Sequence, residues 1–284
     1  MQLGKFRIRW LSDGVYKLDG GAMFGVVPKT LWSKRYPVDE NNYIPLGLNS
    51  LLIETPDATI VVDTGYGNKL TPKQQGIFQL RQPPTLRQSL QEAGVDPEKV
   101  DYVLYSHMHH DHAAGGTWVD EAGVIRPTFP NAKHVMQKKE WEEAKQPNIR
   151  SAHAYWPENW QVIEEAGLIA PADGEVELVP GVRLIPTGGH TQGHQAILIE
   201  SEGQVALHLG DLLPTHAHLN PLWVMAYDDY PMDSIMAKKH WITRAKAEGW
   251  WLTFYHDPEI LAGVWDQDGN LVRKVSAEEA TVLA

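Results

Sequence analysis

The 284-residue chain contains no cysteine. That absence excludes disulfides, thiolate metal ligands and a cysteine nucleophile, so any metal centre must be built from imidazole and carboxylate. Also missing is an apolar run long enough to span a bilayer. The N-terminal stretch MQLGKFRIRWLSDGVYKLDGG lacks the unbroken apolar segment of a signal peptide. The expectation is a soluble protein, cytoplasmic by default, with no membrane partner. Basic clusters are absent too. The 25 Lys and Arg are scattered among 36 Asp and Glu, giving a formal net charge of -11 and a pI near 5.6. An acidic surface repels polyanions, which excludes nucleic acid as a default partner.

The chain is rich in hydrophobic residues (43%) and carries 13 His and 11 Trp, with no histidine run at either end. Without repeats or a long linker, it reads as a single domain over 1–284. Two apolar runs, Ser50 to Glu54 and Thr59 to Val62, flank Thr55-Pro56-Asp57-Ala58 and predict a hairpin. Thr85 to Gly94 predicts a helix, with Gln88 three residues after Thr85 and Gly94 as its stop. Asp96-Pro97 opens a short helical turn, and Val100 to Tyr105 reads as a buried strand. Further strands are expected at 175–179, 182–187, 195–201, 204–209 and 251–255, and a last hairpin through 266–269. Between them, Asp233 to Glu248 predicts a helix opened by an Asp cap, with Ile235, Ile242 and Ala245 on one face. Residues 146–172, rich in Trp, Pro and Asn, read as a lid or insertion. Strands in groups with helices between the groups predict mixed sheets covered by helices rather than a doubly wound parallel fold.

The histidines concentrate where the Val100–Tyr105 strand ends, in Ser106-His107-Met108-His109-His110-Asp111-His112. Alternate side chains of an extended segment point the same way, so His107 and His109 can grip one ion. Asp111 and His112, on the turn that follows, can reach a second. Neutral imidazole with carboxylate suits zinc, iron, manganese or cobalt and disfavours copper(I). His190, Asp211 and His256 each follow a predicted strand and complete two coordination spheres.

The order His-x-His-x-Asp-His, then Gly189-His190-Thr191-Gln192-Gly193-His194, then Asp211, then His256 resembles the metallo-β-lactamase superfamily. Asp63-Thr64-Gly65 matches a supporting motif of the same superfamily. The resemblance implies an α+β fold, a four-layer αβ/βα sandwich of two mixed β-sheets flanked by helices. It implies two divalent metal ions, zinc foremost with iron, manganese or cobalt as alternatives, at one edge of the paired sheets. His107, His109 and His190 would hold the first ion, Asp111, His112 and His256 the second, and Asp211 would bridge. A hydroxide shared by the ions would be the nucleophile, with Asp111 accepting or returning a proton as the leaving group departs. His194 reads as a supporting histidine, not a ligand.

Within the superfamily, the lack of cysteine excludes the cysteine-ligated β-lactamases, and His109 stands where an oxygen-reducing di-iron centre would carry Glu. No basic arm of a tRNA-processing nuclease is present. The strings Leu18 to Lys29, His153-Ala154-Tyr155-Trp156, Asp211 to His218 and Trp223 to Pro231 resemble the YtnP-type quorum-quenching lactonases. That resemblance implies opening of the lactone ring of N-acyl-homoserine lactones. Organophosphate or aryl-ester hydrolysis is the alternative, and a non-catalytic metal-binding protein the third reading. The better-known acyl-homoserine lactonases place a Tyr three residues after the bridging Asp, where this chain has Pro214. Tyr227, Tyr155 and His216 are the candidates to take its role. Met23, Phe24, Trp32, Tyr155, Trp156, Trp160, Trp223 and Met225 are expected near the mouth, where an acyl chain needs an apolar groove. Residues 1–48 read as an N-terminal extension at the interface of a homodimer.

Overall fold

The computed structural model describes residues 1–81 and 84–282. Strands β1 (Gln2–Leu3), β2 (Phe6–Asp19), β3 (Tyr43–Glu54), β4 (Thr59–Val62) and β5 (Tyr102–Leu104) lie side by side in chain order. A small hairpin of β6 (Thr117–Val119) and β7 (Ile125–Pro127) stands apart, and β8 (Lys133–Val135) completes the first sheet beside β5. The second sheet contains β9 (Val176–Val179), β10 (Val182–Pro186), β11 (Gln195–Ser201), β12 (Gln204–His208), β13 (Trp251–Thr253), β14 (Ile260–Trp265) and β15 (Leu271–Ser276). They are arranged in order from β9 at one edge to β15 at the other. Both sheets are mixed: β4, β5 and β8 run parallel, as do β12 and β13, while the other neighbours are antiparallel.

Local signals explain several elements. The Thr55–Ala58 turn joins β3 to β4, with Leu51 opposite Val62. Thr85 caps the Leu86–Glu92 helix in a reciprocal capping box with Gln88, and Gly94 follows in the left-handed region at φ 68°. The sheets pack face to face through Ile8, Leu51, Ile53 and Val62 on one side and Leu184, Ile197, Ile199 and Ala206 on the other. Leu86, Leu90, Trp141 and Ala144 cover the outer face of the first sheet, and Ile242 and Ala245 cover that of the second. This is the expected four-layer sandwich, because each sheet must bury both faces.

Two expectations need correction. The helix expected over Asp233 to Glu248 runs from Pro231 to Glu248, with Pro231 in its first turn and no side-chain cap; Asp233 lies inside the first turn instead of preceding it. Residues 1–48 are not an appendage, since the fourteen-residue β2 pairs along almost its whole length with β3. The stretch expected as a lid or insertion splits in two. Arg150 to Trp156 borders the main cavity, whereas the chain near Ile169 and Ala172 bridges to β8 and the residues just after it. Among the described residues, no helix is long and apolar enough to cross a membrane.

Parallel pairing fixes where the chemistry collects. The loops after β4 and β5 emerge side by side, as do those after β12 and β13. Asp63, the 106–112 segment, Asp211 and His256 therefore meet at one edge of the sandwich.

Candidate metal centre

His107 to His109 is extended, and the chain then turns through the short helix His110–Ala113. That switch sends the ligand-type side chains to two neighbouring points. Nδ1 of His109 lies 3.1 Å from Nε2 of His190, and the ring of His107 sits edge-on to both. On the other side, Nε2 of His112 lies 3.2 Å from Nε2 of His256, and Oδ2 of Asp111 is 3.6 Å from the latter. Asp211 stands between. Its Oδ1 is 3.2 Å from both His112 and His256, while its Oδ2 is 3.4 Å from His190 and 4.0 Å from His107. The seven donors expected from the sequence thus converge in three overlapping groups: His107, His109 and His190; His107, His112 and Asp211; and Asp111, His112 and His256.

The fit to metal can be tested on the donors themselves. Neighbouring ligands of a tetrahedral zinc ion, at about 2.0–2.1 Å from the metal, are separated by about 3.3 Å. The spacing here is of that size. Nε2 of His107 and Oδ1 of Asp211 are buried without a hydrogen-bond partner in the protein, and buried polar atoms are rarely left so. Burial, reinforced by neighbouring rings, holds His107 and His109 well below the usual imidazole range, which favours the neutral, ligating form. Burial alone would raise the carboxyl of Asp211, but the facing His112, His256 and His190 outweigh it and keep the group ionised. An oxygen and nitrogen donor set of this kind fits a hard or borderline divalent ion.

A surrounding layer aims these donors. Nδ1 of His112 is 3.0 Å from Asp63, which also accepts from the backbone and hydroxyl of Ser106. Nδ1 of His190 is 2.9 Å from Asp228, and Nδ1 of His256 is 2.9 Å from the carbonyl of Gly47. Tyr16 donates to Oδ2 of Asp111 at 2.8 Å. The buried carboxyl of Glu140 accepts from Met108 N, Thr191 Oγ1 and Tyr155 Oη, tying the His107–His109 strand to the His190 loop. Gly210, at φ 47°, lets the chain pass Ser106 and His194; a Cβ there would lie 2.7 Å from Ser106 Cβ and 2.8 Å from His194 Nε2. His194 is buried against Thr187 and belongs to none of the donor groups, in keeping with a supporting part. Sequence reasoning missed Tyr16, Glu140 and Gly47, and used Asp228 only within a resemblance. Each acts over more than thirty residues of separation, so spacing carries no trace of it.

The donors floor a cavity of about 430 Å³. Met23, Phe78, Trp156 and Met225 supply apolar wall, and His110 stacks on Trp156 with ring centres 4.3 Å apart. Burial pushes His110 down to about 4, so it faces the cavity as a neutral ring. Of the aromatics expected at the mouth, Phe24 and Trp32 instead stack on each other in the core, and Trp160 packs against Trp141. Among the three residues considered in place of the missing tyrosine, only Tyr227 lines this cavity. Tyr155 packs its ring beside His109 but gives its hydroxyl to Glu140, and His216 is turned to Asp257 at 2.5 Å. A larger hollow of about 620 Å³, beside Leu86 and Trp118, is lined by none of the seven donors.

Comparison with known proteins agrees with this geometry. Residues 43–256 match the description "Metallo-beta-lactamase superfamily". An N-acyl homoserine lactonase of a Bacillus species is 31% identical over 163 residues, covering 53% of this chain and 57% of that protein. The match thus spans little more than half of that relative. A crystal structure of a probable metal-dependent hydrolase from Staphylococcus aureus superposes with a TM-score of 0.92 at 42% identity, covering 98% of this chain and 99% of the other. AidC, a dizinc quorum-quenching lactonase, shares the fold at a TM-score of 0.78 and 21% identity, over 97% of this chain and 96% of its own. The chain belongs to the metallo-β-lactamase superfamily.

Proposed function

We propose that the protein is a dinuclear metal-dependent hydrolase that opens the lactone ring of N-acyl-homoserine lactones. The observation that carries this reading is the split of Asp211, one oxygen toward each histidine group, at the floor of a cavity with apolar walls. His107, His109 and His190 would hold one ion, Asp111, His112 and His256 the other, with Asp211 shared. When bound, such ions supply an acidified water as nucleophile and polarise an ester carbonyl.

The remaining work falls to the chain. The cavity volume suits a small ligand, and Met23, Phe78, Trp156 and Met225 suit an acyl chain. Asp111 borders the cavity with its Oδ2 held by Tyr16, an orientation that suits it to pass a proton to the departing ring oxygen. Tyr227, half exposed on the cavity wall, is the candidate to donate to a substrate oxygen. Val26 and Leu31 leave apolar side chains in solvent, which supports a homodimer through the 23–32 segment, to be checked by sedimentation.

The test is a pH-indicator assay across a chain-length series of acyl-homoserine lactones, on protein of measured metal content. An aryl ester and a phosphotriester serve as comparators for the alternative activity. Ring opening that outpaces both comparators is expected. Fully metallated protein that opens no lactone overturns the reading.

A further inference from the structure

Arg150 reaches from the 148–156 segment to the 226–229 loop and grips that loop three times. Its guanidinium donates to the carbonyl oxygens of Ala226 and Asp228, the latter at 3.2 Å. Its Nε lies 2.9 Å from Oδ1 of Asp229. The two carbonyls flank Tyr227. The other oxygen of Asp229 accepts from Asn148 Nδ2 at 2.8 Å and from the hydroxyl of Ser151, so both sides of the contact are fastened.

The gripped loop carries three functions in three consecutive residues. Tyr227 lines the cavity, Asp228 holds Nδ1 of His190 at 2.9 Å, and Asp229 anchors the loop. The loop is also hydrogen-bonded to the His190 turn itself, through Asp229 N to His190 O at 3.0 Å and Tyr230 N to Gly189 O at 2.8 Å. Within the loop, Asp228 N donates to Met225 O at 3.3 Å, a long turn contact around Tyr227, and Ala226 N donates to Ala22 O at 2.8 Å; the Arg150 contacts add a side-chain brace to the carbonyls on both sides of that residue. The planar fork of an arginine can engage two carbonyls and a carboxylate together, which a lysine ammonium on a flexible stem does not reproduce.

We infer that Arg150 is a positioning residue: its guanidinium clamps the backbone on both sides of Tyr227 and so aims that phenol at a substrate oxygen in the cavity. The inference rests on the hydrolase reading for its kinetic half only. Arg150 is 57% exposed, so replacing it leaves no buried void.

The experiment compares wild type with R150M, R150K, Y227F and the double variant R150M/Y227F, each with metal content measured. Loss of one hydrogen bond to the transition state corresponds to about a tenfold fall in kcat/KM. Y227F and R150M should each lose about tenfold, and the double variant about tenfold as well, not about a hundredfold, because both remove one interaction. R150K should remain impaired although it keeps the charge. Hydrogen exchange supplies a readout that needs no substrate: in R150M the 224–231 peptide should exchange faster while β11 and β12 stay unchanged. Multiplicative losses, a wild-type rate for R150M or Y227F, or unchanged exchange at 224–231 overturns the clamp. If R150M does not fold, R150K paired with Y227F carries the same comparison. Should the wild type hydrolyse no lactone or ester, the hydrolase reading falls alone, and the exchange data still decide whether Arg150 holds the loop.

Discussion

Asp63 is fully buried and sits at φ 54°, a backbone region that Asp and Asn tolerate better than most residues. Its carboxylate collects the Ser106 amide and hydroxyl and faces Nδ1 of His112. Burial would raise this acid, but His112 and His208 outweigh burial and hold it well below the carboxylate range. The group is thus an obligate acceptor that sets which nitrogen of His112 faces the metal donors. Asp63→Asn keeps the backbone preference and the volume but replaces one acceptor oxygen by a donor. The variant should fold and lose about 10- to 100-fold in metal affinity, the usual cost of removing a partner behind a ligating histidine. Competition against a chromophoric chelator measures this; unchanged affinity would show that Asp63 merely braces the turn. The Asp-Thr-Gly string made Asp63 visible in the sequence, whereas Tyr16, which touches Asp111 directly, had no such string. It lies on a strand whose partner, β3, begins 27 residues later, and only the folded sheet brings it to the site.

The Pro231–Glu248 helix shows the same division at the level of elements. The spacing reads Ile235, Ile242 and Ala245 as its inner face; Ile242 and Ala245 are buried, and Ile235 is half-buried. Lys238 lies on that face too and is completely buried, with its ammonium donating to the carbonyl of Trp223. Helical periodicity identifies a face but cannot tell that a lysine will be enclosed on it, because lysine normally reaches solvent. Burial is the chief cause that pushes Lys238 down to about 7, with Asp228 pulling partly the other way. A depressed folded value means that the charged form costs stability. The contribution is therefore present in full above the ordinary 10.5 and is lost as pH falls through about 7. Lys238→Met removes this titration. Relative to the variant, wild type should gain on the order of 3–4 kcal/mol in stability from pH 7 to pH 10. Denaturant unfolding at several pH values checks this, and parallel curves would rule the effect out. Hairpins and caps were readable for a simpler reason: the Thr55–Ala58 turn and the Thr85–Gln88 box are completed within four residues. Asp233 and Pro231 both carry N-terminal signals, and the helix starts at the proline.

Across the whole molecule, the donors come from both halves of the sandwich. His107, His109, Asp111 and His112 follow β5 of the first sheet, whereas His190, Asp211 and His256 follow β10, β12 and β13 of the second. The histidine cluster announced the first half of the site in the sequence; its closure depends on parallel neighbours that no local pattern specifies. An ion held by both sets would cross-link the two sheets at their open edge and would bind the folded chain only. Such binding stabilises by mass action, by about 4 kcal/mol when free metal is a thousand times its dissociation constant. For a domain near this size that amounts to a rise in Tm of roughly 5–10 °C. Chelation should lower Tm by that amount, and added zinc or manganese should restore it. Asp211→Asn, which keeps the shape but removes the shared anion, should show a smaller difference between metal-loaded and chelated protein. A melting temperature that ignores both chelator and added metal would mean that the two sheets hold together without the ions, and that the converging donors serve some other end.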